Sequence, residues 1–103
     1  MKPKRLPPIP KSIQTPLGPL PIIVTEAQPH WPNGGRGSGG YYDSRQYRMY
    51  VASDMGLLTQ WHILLHERGH NIADLGVEFD SDGQEESFCK AFATVMLHEM
   101  LYG

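Results

Sequence analysis

Within the stretch "WHILLHERGHNIADLG" the chain carries His66-Glu67-Arg68-Gly69-His70. Two histidines four positions apart on a helix lie one turn above each other, so both can turn a ring nitrogen toward a single ion. Imidazole nitrogen is a borderline ligand, and zinc is an ion it suits. Glu67 is rotated about 100° around the helix from His66, which keeps it out of the ligand set but beside a water held by the metal. A carboxylate in that place can take the water's proton as it attacks a carbonyl, while the metal polarises the carbonyl oxygen.

An open catalytic zinc site has three protein ligands, so a third donor is required. The metzincin continuation asks for Gly and His three and six residues beyond His70, but Ala73 and Gly76 stand there and exclude it. His98 lies near the end of the last helical segment, whereas Glu85 and Glu86 open that segment soon after a turn. Glu85 falls on the apolar stripe of Phe88, Cys89, Phe92 and Met96; Glu86 aligns with Cys89, Lys90, Ala93 and Leu97. Periodicity favours Glu85 without excluding Glu86. Either could also serve only the dipole of the helix it begins.

The motif needs a helix beneath it, and the pattern predicts one over 57–73, with Ser53 or Asp54 as cap and Gly76 as stop. Leu57, Leu58, Trp61, Leu64, Leu65 and Ile72 cluster on one side, and both histidines leave that side together. An acidic loop turning near Gly83 leads to a second helix from Glu85 onward. Upstream, the β-branched run Ile22, Ile23 and Val24 predicts a strand over 21–26. "QPHWPNGGRGSGG" reads as a mobile loop. Tyr41 and Tyr42, a turn through Asp43-Ser44-Arg45-Gln46, and then Tyr47 to Val51 read as a hairpin whose one face is Tyr47, Met49 and Val51. The fold class is α+β: a small antiparallel sheet with its hairpin packed on two helices.

A chain of 103 residues with 40% hydrophobic composition supports one small domain. Lys2, Lys4, Arg5 and Lys11 are concentrated at the start, and every proline lies at or before Pro32. Residues 1–17 therefore read as a flexible Pro-rich basic tail, and 18–103 as the domain. A net charge of -2 excludes the basic field that nucleic acid or an anionic membrane would call for. The Gly-rich loop lacks the Gly-Lys-Ser/Thr ending of a phosphate cradle, and Asp80 and Asp82 do not complete a calcium loop. Cys89 is the single cysteine and reads as a core residue. With no signal peptide or membrane span legible, the expected compartment is the cytoplasm.

The hairpin "YYDSRQYRMYV", the helix "QWHILLHERGH" and the segment "EESFCKAFATVM" together resemble the ImmA/IrrE family of small gluzincin-type metallopeptidases, notably the compact versions carried by phages and other mobile elements. The resemblance spans about residues 18–101. It implies a minimal zincin-like domain in which a strand and hairpin precede the His-Glu-x-Gly-His helix, and the next helix brings a glutamate ligand ahead of an Ala-Asn-x-Phe-Ala-like segment. "CKAFA" stands in that segment, with Phe92 and Ala93 at its end, and this registration puts the ligand at Glu86. The implied site is zinc held by His66, His70 and Glu86, with Glu67 as base. Two positions depart from the family: Arg68 replaces an apolar residue, and Lys90 stands where gluzincins often have Asn or Asp, which would deprive a ligand histidine of its outer partner.

The implied reaction is cleavage of a peptide bond in a regulatory protein, such as a repressor. Tyr41, Tyr42, Tyr50 and Tyr102 are candidates to stabilise the oxyanion, and the hairpin's edge strand could hold an extended substrate. The rival reading is a weak or inactive binding module of the same fold that captures a partner protein. At this chain length a homo-oligomer or partner subunit is expected to complete the cleft.

Overall fold

The computed structural model describes residues 1–31 and 39–103; most of the Gly-rich segment expected as a loop lies outside them. The described residues form β1 (Ser12–Thr15), β2 (Gly18–Thr25), β3 (Gly40–Asp43), β4 (Arg48–Ala52), α1 (Leu57–Asp74) and α2 (Asp82–Tyr102). The arrangement is α+β, with α1 packed on one face of a four-stranded sheet of order β1-β2-β4-β3 and α2 packed on α1. None of the helices among these residues is long and apolar enough to cross a membrane.

The sheet is mixed, where a wholly antiparallel one was expected. β3 and β4 form the anticipated antiparallel hairpin, but β2 and β4 run parallel, with Ile22 opposite Met49 and Val24 opposite Val51. That register sets Leu20, Ile22, Met49 and Val51 on one face, where all four are buried against Trp61, Ile63, Leu64 and Leu65 of α1. Each such side chain contributes about 1.5–3 kcal/mol relative to exposure. A parallel pair needs a long crossover, and the chain between β2 and β4 supplies it.

The expected boundary between residues 17 and 18 falls inside a hairpin. β1 pairs antiparallel with β2, Ile13 opposite Leu20. Further upstream, Leu6 and Ile9 pack against the core. Trp61 donates its indole N–H to the Pro7 carbonyl at 2.7 Å, and the Lys4 amide donates to the Leu101 carbonyl at 2.7 Å. Proline removes a donor yet keeps its carbonyl, so a Pro-rich segment can still be held by donors from the domain. From Lys4 onward this segment is held against the domain, so no separate tail ends at residue 17.

α1 starts at Leu57 as expected, but its cap and the start of α2 differ from expectation. Gly56, with no capping side chain, precedes α1 in place of Ser53 or Asp54, and Leu57 and Leu58 are exposed. α2 begins at Asp82, because the Ser81 hydroxyl accepts from the Gln84 amide at 3.2 Å. Gly83 thus lies in the first helical turn. Gly76 does end the first helix region, at φ 137°, a conformation that favours glycine.

α2 runs back along α1, and the two approach closely at Gly69. A Cβ there would lie 2.9 Å from the Cys89 sulfur and 3.0 Å from its Cα. Gly69→Ala gains about 1 kcal/mol of helix propensity but must push the α2 backbone away, and overpacking of this kind costs about 1–3 kcal/mol. In urea unfolding Gly69→Ala should come out destabilised. Gly83→Ala, whose added methyl meets only the Ser81 hydroxyl at 3.7 Å, should be neutral or more stable. Equal midpoints for Gly69→Ala and wild type would contradict the close contact.

Candidate functional site

His62, His66, His70 and Asp74 occupy successive turns of α1 and line a cleft of about 1200 Å³, with Glu85, Glu86 and Lys90 of α2 and Gly39 to Tyr42 on its other walls. β3 can lie this close to α1 because it opens with glycine. A Cβ on Gly40 would run into Ile63 and lie 2.8 Å from the Tyr50 carbonyl. Gly39 adopts φ 65°, which glycine takes without strain.

The structure brings the expected ligands together. The two carboxylate oxygens of Glu86 face both histidines, at 3.2 Å from His66 Nε2 and 2.7 Å from His70 Nε2. One donor atom from each of His66, His70 and Glu86 lies within 4.8 Å of the others. Two imidazoles and a carboxylate at this spacing fit the ligand set of an open zinc site. Glu85 does not compete for that place: its carboxylate oxygen lies 2.6 Å from His70 Nδ1, on the far side of the same ring. A carboxylate there fixes the ring and leaves Nε2 to face the cleft. The outer partner that Lys90 was expected to deny is supplied, for His70, from position 85.

Burial and charge tune each group differently. Burial pushes His66 below the ordinary histidine range, His70 pushing the same way and Glu86 against it; the neutral imidazole is the form that binds metal. Burial also works to lower His70, but the Glu85 hydrogen bond and the carboxylates of Glu67 and Glu86 prevail and raise it. Glu67 is pushed up to about 7, chiefly by burial and also by Glu86, while His70 and the Tyr42 backbone N–H pull it down. A base poised near neutrality suits proton transfer. Cys89 is fully buried, and burial, with Glu86, Glu85 and Glu67 nearby, pushes its thiol up to about 12. It stays protonated and packs, as expected, as a core residue.

A polar network behind the site was not anticipated. Asn71 is fully buried on α1. Its amide nitrogen donates to the Tyr42 hydroxyl at 3.1 Å, its oxygen accepts from Arg68, and the Tyr42 hydroxyl donates to Asp74 at 2.7 Å. Arg68, a departure from the family pattern, thus satisfies a buried amide. Since the Tyr42 N–H also bonds Glu67, one residue of β3 joins the network to the base. The sequence signal was the pair of tyrosines beside Gly39-Gly40.

Of the other candidates, Tyr41 lines the cleft, Tyr50 stacks on it and packs against Trp31, and Tyr102 lies against His98 at the end of α2. Among known proteins, no family model, curated protein or solved structure matches this chain.

Tyr42→Phe removes the hydroxyl shared by Asp74 and buried Asn71. Loss of a partner to a buried polar group costs about 1–3 kcal/mol, and an unfolding free energy lower by that amount is expected, seen as a lower denaturant midpoint. An unchanged midpoint would show that the network does not hold β3.

Proposed function

We propose that the chain is a zinc-dependent metallopeptidase that hydrolyses a peptide bond in a regulatory protein, with His66, His70 and Glu86 holding the metal and Glu67 transferring the proton. The observation that carries this reading is the Glu86 carboxylate reaching both histidine Nε2 atoms while Glu67, next in sequence to His66, sits half-buried on the wall of the same cleft. Zinc, when bound, supplies Lewis-acid chemistry and lowers the pKa of water toward 7.

The protein's own residues do the rest. Glu67, near neutrality and oriented by the Tyr42 N–H, accepts a proton from the attacking water and returns it to the leaving amine. Glu85 orients His70. β3 is an edge strand among the described residues, and those of its outward backbone groups that Glu67 does not take can pair with an extended peptide. The resemblance to the ImmA/IrrE family supports a regulatory substrate such as a repressor. With one cysteine, kept as a free thiol, a cytoplasmic setting agrees with this reading.

Zinc content and peptide turnover test the assignment together. Wild type should hold about one zinc, as open zinc sites do; Glu67→Gln should retain it but lose turnover by about 10²–10⁴; His70→Ala and Glu86→Gln should lose the metal. Zinc retained by wild type with no turnover of any peptide would overturn the catalytic part and leave partner capture.

Protons and zinc compete for His70, which is raised above 6.5. Apparent zinc affinity should therefore fall as the pH drops through that raised value, by about tenfold per unit. Glu85→Gln should weaken affinity about 10–100-fold and move the onset of this fall to lower pH. Competition against a chromophoric chelator at several pH values reads both, and an unmoved onset would mean that Glu85 does not hold that proton.

A further inference from the structure

We infer that the stretch of the cleft beyond the histidine–glutamate cluster, lined by Lys90 and Thr94 of α2 and His62 of α1, receives a carboxylate of the peptide substrate. This rests on the metallopeptidase reading and adds a substrate class to it. The starting point is an ion pair that does not form. Glu86 and Lys90 stand at i and i+4 with the glutamate N-terminal, the favourable order for pairing on a helix. Yet the Glu86 carboxylate is turned to His66 and His70, and Lys90 has no acidic group within 4 Å among the described residues.

Every carboxylate on the cleft wall already has a partner. Asp74 accepts from Tyr42, Glu85 contacts His70, Glu86 spans both histidines, and Glu67 accepts from the Tyr42 backbone. Lys90 is the lysine or arginine that lines the cleft among the described residues; it is exposed, and no carboxylate of the cleft wall pairs with it. Because α2 runs back along α1, Lys90 and Thr94 lie toward His62, while Asp74 and Glu85 lie toward the other end. The cleft is therefore polarised along its length. A peptide laid through it meets a cation one helical turn from Glu86, within reach of a side chain next to the reacting bond or of the chain's terminal carboxylate. A lysine on a flexible stem serves such a role as a point charge.

The experiment uses the zinc-loaded full chain and pools of ten-residue fluorogenic peptides, made with and without Asp or Glu and with free or amidated C-termini. Binding is measured on Glu67→Gln and cleavage on the protein with Glu67 intact, each with Lys90 present and as Lys90→Met or Lys90→Glu. The expected result is a preference for carboxylate-bearing peptides of about tenfold or more, abolished in Lys90→Met and inverted toward basic peptides in Lys90→Glu. Loss of the preference on C-terminal amidation identifies the terminal carboxylate; its persistence identifies an acidic side chain. Cleavage with no such preference, or with one unmoved by Lys90 substitution, overturns this inference and leaves the peptidase reading intact. Lys90-dependent binding without cleavage overturns the peptidase reading and keeps the carboxylate site, and failure to bind any pool overturns both.

Discussion

The closeness of α1 to α2 at Gly69 and Cys89 is the constraint on which the site depends. Glycine at 69 lets the α2 backbone settle against α1 within the turn that separates His66 from His70. Glu86 and Glu85 lie three and four positions before Cys89 and are thereby delivered to the histidines. The contacts at stake are short, 2.6 and 2.7 Å at His70. A separation wider by roughly 1 Å would exceed hydrogen-bonding and ligation distances. The glycine of the motif thus does as much for the arrangement as its histidines, through packing alone.

Around that contact the charges are arranged so that few are left unmatched. Glu67, Glu85 and Glu86 crowd two imidazoles in a partly buried cleft, which would be costly without compensation. The two rings answer in opposite directions: His66 is driven toward neutrality and His70 toward the charged form. His66 is left the readier lone-pair donor, and His70 holds its proton more tightly and must release it before it could bind a metal. The difference lies first in Glu85, which touches His70 alone, and then in the Glu67 carboxylate, which also favours the charged form of His70.

Local signals were legible in the chain, and relations between distant segments were not. The motif helix, the hairpin turn at Asp43 to Gln46 and the break at Gly76 follow from periodicity and turn chemistry within a few residues. β1 was hidden because Pro16, Pro19 and Pro21 crowd its hairpin, and prolines read as interruptions until the partner strand is seen to need few donors from them. The choice between Glu85 and Glu86 could not come from the apolar stripe, because the cleft lies off that stripe. Both glutamates reach His70, from opposite sides of one ring. Nothing in the local pattern marks Asn71 for burial, because the Tyr42 that covers it comes from the distant β3.

The mixed sheet also governs the order in which these parts can be assembled. β1 with β2, and β3 with β4, are hairpins between near neighbours, so each can close at a small entropic cost. The parallel seam of β2 with β4 joins segments far apart in sequence, and non-local pairing of this kind is slow. β4 sits in the middle of the sheet and carries β3 with it. β3 and β4 also pack directly on α1, the helix that follows them in the chain, so the wall that brings Tyr42 to Asn71 and Glu67 rests on contacts local in sequence. The cleft is therefore built from one continuous stretch of chain and α2, and the seam ties β1 and β2 to it from outside.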